Sequence, residues 1–158
     1  MNASIRLAMA LVLSLAGCAG APPTHEAAAP QKSAPAAAQT GDQLYRALGG
    51  QAGITKVVDA ALAEIHGDLR INLFFEKTDM ADLRRLLIEQ ICAATGGPCS
   101  YTGRSMEEAH SGLNLSDADF DAFVDDLVHA MNATKVPPDL QKQLLGLLGP
   151  MRPQVVGQ

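Results

Sequence analysis

Apolar positions between residues 41 and 150 recur at three- and four-residue steps, the spacing that places side chains on one face of an α-helix. The clearest stripes predict four substantial helices, over residues 54–65, 80–91, 120–131 and 140–148. No segment shows the two-residue alternation that is typical of a half-buried strand. The pattern therefore predicts an all-α domain.

Glycine, proline and short polar side chains indicate where these helices begin and end. Ser116 and Asp119, three residues apart, form an N-terminal capping signal for the third long helix. Glycine and proline disfavour helix interiors and so mark the ends. The predicted stops are Gly49-Gly50 after a short helix over 42–48, Gly67-Asp68, Gly96-Gly97-Pro98 and Gly149-Pro150.

Two connections between the helices differ in character. Residues 69–75 are short and apolar, which predicts a tight turn of helix that carries Phe74 or Phe75 into the core. Residues 99–115 are rich in glycine and polar side chains and predict at most one helical turn, over 106–110. A connection of this length inside a compact domain is usually functional or disordered.

The first residues have the pattern of an export signal. Arg6 precedes an apolar run over 7–16 that is too short to span a bilayer, so residues 1–17 predict a signal peptide. Leu15-Ala16-Gly17-Cys18 resembles the lipobox of bacterial lipoproteins, in which the cysteine becomes the lipidated first residue. The alternative is an ordinary signal peptide cut near Ala19 or Ala21, with no role for Cys18. Either reading exports the domain.

Residues 18–40 have the composition of a tether. They are rich in Ala and Pro, and their prolines interrupt any helix. We expect this segment to join a lipidated Cys18, anchored to a bacterial membrane and facing the periplasm, to one folded domain over residues 41–158.

Composition narrows the function classes. The 158 residues carry a formal net charge of -5, which argues against binding nucleic acid phosphates. Only 4% of residues are aromatic and none is Trp, so platforms for stacking bases or sugars are scarce. The 47% hydrophobic content is enough for a single core.

Cys92 and Cys99 are seven positions apart. In an oxidising compartment the pair can form a disulfide, and two buried free thiols are the alternative. A closed metal site is not expected, because no further Cys or His stands at ligand spacing beside them.

The order and spacing of several landmarks over residues 44–150 resemble those of the group 1 truncated haemoglobins. The landmarks are Leu44-Tyr45, Gly49-Gly50, Phe74-Phe75, Thr78-Asp79-Met80, Gly96-Gly97-Pro98, Tyr101-Thr102-Gly103, Met106, His110, Asp119-Phe120 and Val136-Pro137. The run from Gly96 to His110 is the most specific part. The resemblance implies a truncated globin: a two-over-two helical sandwich around b-type haem.

In that family a histidine binds the haem iron, and His110 occupies its position. A histidine in this setting would otherwise be taken for a structural residue, but a neutral imidazole suits iron and leaves the opposite position for a small gas. Phe75 matches the phenylalanine that packs against the porphyrin. The remaining cofactor contacts implied are Leu83, Ile91 and Met106 on the apolar walls, and Arg84, Arg85 and Tyr101 near the propionates, where the alternative for both arginines is a solvated surface.

The resemblance departs at the distal side. Where the family usually has Tyr and Gln, this chain has Leu62 and Leu87, so the pocket is expected to be apolar. Bound dioxygen carries partial negative charge and is stabilised poorly without a donor, whereas nitric oxide and carbon monoxide depend on one less. Gln90 lies beside this strip, and we expect its amide to face solvent. His66 and His129 are expected on polar faces.

The function implied is the binding of a diatomic gas, O2, NO or CO, at haem iron, in oxygen binding or transport, gas sensing or redox chemistry. No catalytic residue is singled out, and a nitric oxide dioxygenase-like activity is weakened by the two leucines. Redox chemistry at the iron would require an electron donor as a further partner. The alternative function is that of a globin-shaped lipoprotein without haem, which acts as a protein-interaction module.

Overall fold

The computed structural model describes residues 41–158, so the predicted signal peptide, the lipidated Cys18 and the tether over 18–40 lie outside the described residues. Residues 41–158 form helices and turns with no strand, as predicted. The α-helices are α1 (Gln43–Ala47), α2 (Gly50–Gly67), α3 (Met80–Ala94), α4 (Met106–His110), α5 (Asp117–Ala133) and α6 (Pro138–Leu148). Two 3₁₀ helices follow α2 and α6, at Asn72–Phe75 and Gly149–Gln154. None of these helices combines the length and apolar character needed to cross a bilayer.

The predicted end of the last long helix is confirmed, because α6 ends at Leu148 with Gly149 as its C-cap. The sequence did not predict the second 3₁₀ helix, which follows α6 directly. Pro150 stands in the first turn of that helix, where the missing N–H would have had no intrahelical partner. The residues after 149 are therefore ordered structure that packs against α4 and α6.

Side-chain caps fix the beginnings of three helices. At α3 the carboxylate of Asp79 accepts hydrogen bonds from the backbone N–H groups of Ala81 and Asp82. A complete capping box formed by Ser105 and Glu108 begins α4. The capping signal predicted at Ser116 and Asp119 is confirmed as a second box, at the start of α5. Each cap satisfies backbone donors that the first helical turn leaves without partners.

The core lies where α2 crosses α5 and α3, and α5 packs in turn against α6. Its largest cluster includes Met131 of α5 and Leu144 of α6, both 0% exposed. Truncation of either side chain to alanine would cost about 2–5 kcal/mol of stability. A smaller cluster joins Ile65 and Ala122 to the first 3₁₀ helix, and Phe74 and Phe75 pack against it.

The turn after α3 is closed by a disulfide. Cys92, in the last turn of α3, is bonded to Cys99, with 5.8 Å between their Cα atoms, so the alternative of two free thiols does not describe this pair. Gly96 adopts a positive φ of 83°, which favours glycine. A Cβ atom on Gly97 would lie 2.6 Å from the Sγ atom of Cys92. The Gly-Gly-Pro motif thus lets the chain turn tightly enough for the disulfide.

Candidate functional site

A cavity of about 700 Å³ opens between the long helices. Every α-helix except α1 contributes to its walls, and so do both 3₁₀ helices and the loop before α4. Most of the lining side chains are aliphatic or aromatic, with a few polar and charged groups among them. Cavities of this size and character typically hold a small molecule or an organic cofactor.

His110, the last residue of α4, lines this cavity and is half-buried. Its Nδ1 atom lies 2.7 Å from the carbonyl oxygen of Met106. A carbonyl oxygen can only accept, so Nδ1 must carry the proton and donate it. In the neutral imidazole the second ring nitrogen, Nε2, then has a free lone pair, which is the state in which an imidazole binds a metal.

A polar clamp holds the loop that leads to α4. The carboxylate of Glu89 on α3 accepts hydrogen bonds from the backbone N–H of Thr102 at 3.0 Å and from its hydroxyl at 2.7 Å. Arg85 completes the clamp with a hydrogen bond of 2.8 Å to the Thr102 hydroxyl. These contacts, of which the Thr102 hydroxyl is the strongest, keep the pKa of Glu89 below its ordinary value. The loop is thus fastened to α3 both here and at the disulfide.

The structure brings together most of the apolar side chains predicted for a cofactor site. They come from three successive elements, and they share one cavity with His110. They are Leu83, Leu87 and Ile91 of α3, Phe75 of the first 3₁₀ helix and Met106 of α4.

Leu62 and Gln90 lie elsewhere than expected. Leu62 packs into both hydrophobic clusters and is not among the described residues that line the cavity. Gln90 does line the cavity, and its Nε2 atom donates to the sulfur atoms of Met106 and Met151, each at 3.4 Å. The expectation that this amide faces solvent is therefore wrong, because α4 and the second 3₁₀ helix cover this part of α3.

The two arginines predicted near carboxylates of a cofactor are not brought to the cavity. Arg84 forms an exposed ion pair with Asp59 of α2, with 2.5 Å between Nε and Oδ1, and this hydrogen bond lowers the pKa of Asp59. Arg85 is paired with Asp82 and with the clamp carboxylate of Glu89. The alternative of a surface position describes both arginines.

Tyr101 does line the cavity, but its hydroxyl donates to the carbonyl oxygen of Arg104 at 2.9 Å. Burial raises the pKa of Tyr101, so the phenol stays neutral.

Sequence reasoning missed three cations that line the cavity: Lys77, Arg104 and Arg152. Lys77 and Arg104 form no ion pair within residues 41–158, whereas Arg152 is paired with Asp117 and Asp121 and lies 4.5 Å from the centre of the Phe120 ring. Two charges at the cavity are thus available to an anionic group. Neither belongs to a helical stripe, so the hydrophobic pattern gave no reason to select them.

His66 and His129 are exposed, as expected for polar-face residues. His66 borders a separate cavity of about 330 Å³, which shares Phe75 and Ile65 with the larger one. Neither histidine is among the described residues that line the larger cavity.

Comparison with known proteins gives one consistent picture. A family model described as "Bacterial-like globin" matches residues 43–156. The chain is 34% identical over 115 residues to a group 1 truncated hemoglobin of Nostoc sp., covering 73% of this chain and 98% of that protein. It is 30% identical over 112 residues to a group 1 truncated hemoglobin of Mycolicibacterium paratuberculosis, covering 71% and 82%.

Solved structures agree with the sequence matches. The truncated hemoglobin of Tetrahymena pyriformis in its Fe(III) form superposes with a TM-score of 0.71 at 27% identity, covering 73% of this chain and 98% of that one. The 2/2 hemoglobin of Synechococcus sp., solved in the cyanomet state with covalently attached heme, gives 0.68 at 31% identity over the same shares. The predicted two-over-two helical arrangement is confirmed by these likenesses.

Proposed function

Because this chain belongs to the bacterial-like globin family, as a group 1 truncated haemoglobin, we propose that its cavity holds b-type haem and that His110 Nε2 would bind the haem iron. The observation that carries the proposal is the hydrogen bond of 2.7 Å from His110 Nδ1 to the Met106 carbonyl. In the neutral imidazole this bond makes Nε2 the nitrogen with the free lone pair, at a largely apolar cavity of about 700 Å³.

The other residues at the cavity fit the same cofactor. Haem is a flat apolar ring with two carboxylates, and its iron supplies a coordination position for a diatomic gas. Phe75, Leu83 and Leu87 provide apolar surface that excludes water. Lys77 and Arg104, which form no close ion pair among the described residues, bind the propionates in place of Arg84 and Arg85.

The polarity of the cavity decides which gas is held well. Leu87 lines the cavity and cannot donate a hydrogen bond, and the amide of Gln90 is directed at two methionine sulfurs. Bound dioxygen therefore gains little stabilisation from hydrogen bonding. The lack of a donor weakens the binding of nitric oxide or carbon monoxide less, because these gases depend less on a hydrogen bond. The chain acts as a gas-binding or gas-sensing globin with weak oxygen retention, and dioxygenase chemistry that needs retained oxygen is disfavoured.

The domain works outside the cytoplasm, tethered to a membrane. Residues 1–17 and the lipobox-like Leu15-Ala16-Gly17-Cys18 support export and lipidation at Cys18. The disulfide between Cys92 and Cys99 supports the same location, since such bonds persist in oxidising compartments such as the periplasm.

An absorption spectrum tests the haem proposal. The purified domain reconstituted with haem should show a strong Soret band, and its ferrous form should respond to carbon monoxide. His110→Ala should lose the five-coordinate ferrous spectrum, and free imidazole should restore it. His129→Ala, the replacement of an exposed histidine, is the matched control and should leave the spectrum unchanged. Folded protein that stays colourless after haem addition would reject the proposal in favour of a haem-free interaction module.

A further inference from the structure

Gln90 connects three elements that meet at the cavity. Its side chain leaves α3 at the edge of the stripe that carries Leu87 and Ile91, and it is half-buried. The Nε2 atom donates to Met106 of α4 and to Met151 of the second 3₁₀ helix, both at 3.4 Å. One amide therefore links α3 to α4 and to the segment that follows α6.

Met106 is the residue that orients the imidazole of His110. Its carbonyl oxygen accepts the Nδ1 proton of His110, and its sulfur accepts the amide proton of Gln90. A methionine side chain has three rotatable bonds and fills space in several ways. The hydrogen bond from the Gln90 amide favours one of these conformations of Met106. It thereby fixes the side chain of Met106, whose carbonyl oxygen accepts the hydrogen bond from the His110 imidazole.

The chemistry of the contact argues for a directional role. An amide in an apolar wall loses hydration, and thioether sulfur is only a weak acceptor. An apolar side chain of similar length would fill the same space without that loss. What the amide adds is a direction, because its two N–H groups point towards sulfur atoms on two different elements.

We propose that Gln90 is a positioning residue for His110, acting through the side chains of Met106 and Met151. The proposal rests on the iron ligation proposed above for His110. Without the amide, α4 is less firmly held against α3, and the imidazole ring occupies a wider range of orientations relative to the iron.

Two replacements of Gln90 test this. Gln90→Met removes both N–H groups and keeps the length of the side chain, while Gln90→Glu keeps the shape and, as a carboxylate at neutral pH, removes the donor. Gln143→Met makes the same chemical change at an exposed position of α6 and serves as the matched control. These three variants and the unmutated protein are loaded with haem and reduced.

The decisive readout is the iron–imidazole stretching frequency measured by resonance Raman spectroscopy. We expect it to shift or broaden in both Gln90 variants and to stay unchanged in Gln143→Met. Haem transfer to an acceptor protein should be roughly two- to tenfold faster in the Gln90 variants, in keeping with the loss of a modest hydrogen bond. An unchanged frequency in both variants would overturn the proposal, even if the thermal stability of either one falls.

A measurement on the unmutated protein covers the case in which the variants fail to fold. The side-chain amide protons of Gln90 should show nuclear Overhauser contacts to the methyl groups of Met106 and Met151, assigned with Met106→Leu and Met151→Leu. Their absence would equally overturn the proposal. Failure of haem ligation itself would appear differently, as a missing Soret band in the unmutated protein.

Discussion

The Nδ1 atom of His110 lies 2.7 Å from the carbonyl oxygen of Met106, one helical turn earlier in α4. Because the acceptor is a backbone atom, no single side-chain replacement removes it. The orientation and tautomer of the imidazole depend instead on whether this five-residue helix keeps its shape. So short a helix is not stable alone and relies on its cap and its neighbours.

Removal of the cap of α4 should therefore loosen haem binding. In Ser105→Ala the backbone N–H of Glu108 loses its acceptor, at a cost of about 1 kcal/mol. We expect α4 to fray and haem loss to become faster, while the ferrous spectrum of the remaining holoprotein still indicates a histidine ligand. Haem transfer to an excess of an apoglobin acceptor measures the rate.

Ser116→Ala is the control for this change, because it removes the second capping box, at the start of the 17-residue α5. It should lower stability by a similar amount without a matching change in the haem-loss rate, since core packing holds α5. Equal acceleration in both variants would mean that only global stability controls haem loss.

A donor placed at Leu87 should increase oxygen retention. Leu87 lines the cavity, and Leu87→Gln introduces an amide that can donate to bound oxygen. We expect oxygen release to slow by about tenfold, the effect of one hydrogen bond of about 1.4 kcal/mol. Stopped-flow displacement of oxygen by carbon monoxide measures the rate. Leu86 also lines the cavity, so Leu86→Gln tests whether the position of the amide matters. If oxygen release slowed equally in Leu86→Gln, the assignment of Leu87 to the distal side, where the gas binds, would be contradicted.

Loss of the disulfide should destabilise the domain. In Cys92→Ala/Cys99→Ala the short loop between α3 and Cys99 is no longer closed, and stability should fall by about 2–3 kcal/mol. Urea unfolding, followed by circular dichroism, measures the difference. Reductant should lower the stability of the unmutated protein towards that of the variant and leave the variant unchanged. If reductant lowered the stability of both proteins equally, the loss of stability could not be attributed to the disulfide.

Asp126 should make the domain more stable in mild acid than at neutral pH. The side chain is buried in α5, and burial, with Asp68 nearby, raises its pKa above the ordinary 3.8; Glu64 raises it further, while Arg70 and His129 lower it. A raised pKa means that the folded state favours the protonated form. The contribution is therefore complete below pH 3.8 and is lost as the pH rises through the raised pKa.

Asp126→Asn should accordingly raise the melting temperature at pH 7, and the gain should shrink as the pH approaches 3.8. Scanning calorimetry at several pH values gives the comparison. Asp125→Asn, at the exposed neighbouring position, should show no such gain. A gain for Asp126→Asn that does not depend on pH would point to packing and away from ionisation.

The helices followed from the sequence because their stripes and caps are local properties. The spacing of apolar residues gave α2, α3, α5 and α6, and Ser116 with Asp119 gave the start of α5. His110 stood out through its resemblance to a family pattern, since periodicity alone gives a histidine in a polar loop no special meaning.

The surroundings of individual polar side chains could not be predicted in the same way. Gln90 lies at the edge of its stripe, and its direction is decided by Met106 and Met151, which are 16 and 61 residues away in sequence. Arg84 is drawn to the surface by Asp59, 25 residues earlier. Such long-range partners are properties of the folded chain.

The position of the second 3₁₀ helix at the end of the chain affects when haem can be inserted relative to translocation of the chain. Met151, Arg152 and Val155 form part of the cavity wall, and the backbone N–H of Gly157 bonds to the carbonyl of Leu115 at 2.9 Å. A polypeptide threaded amino end first through a translocation channel would deliver His110 some forty residues before this wall arrives. Under the export proposed above, insertion of the iron porphyrin would then follow passage of the whole domain, and the prosthetic group would have to be supplied on the far side of the membrane.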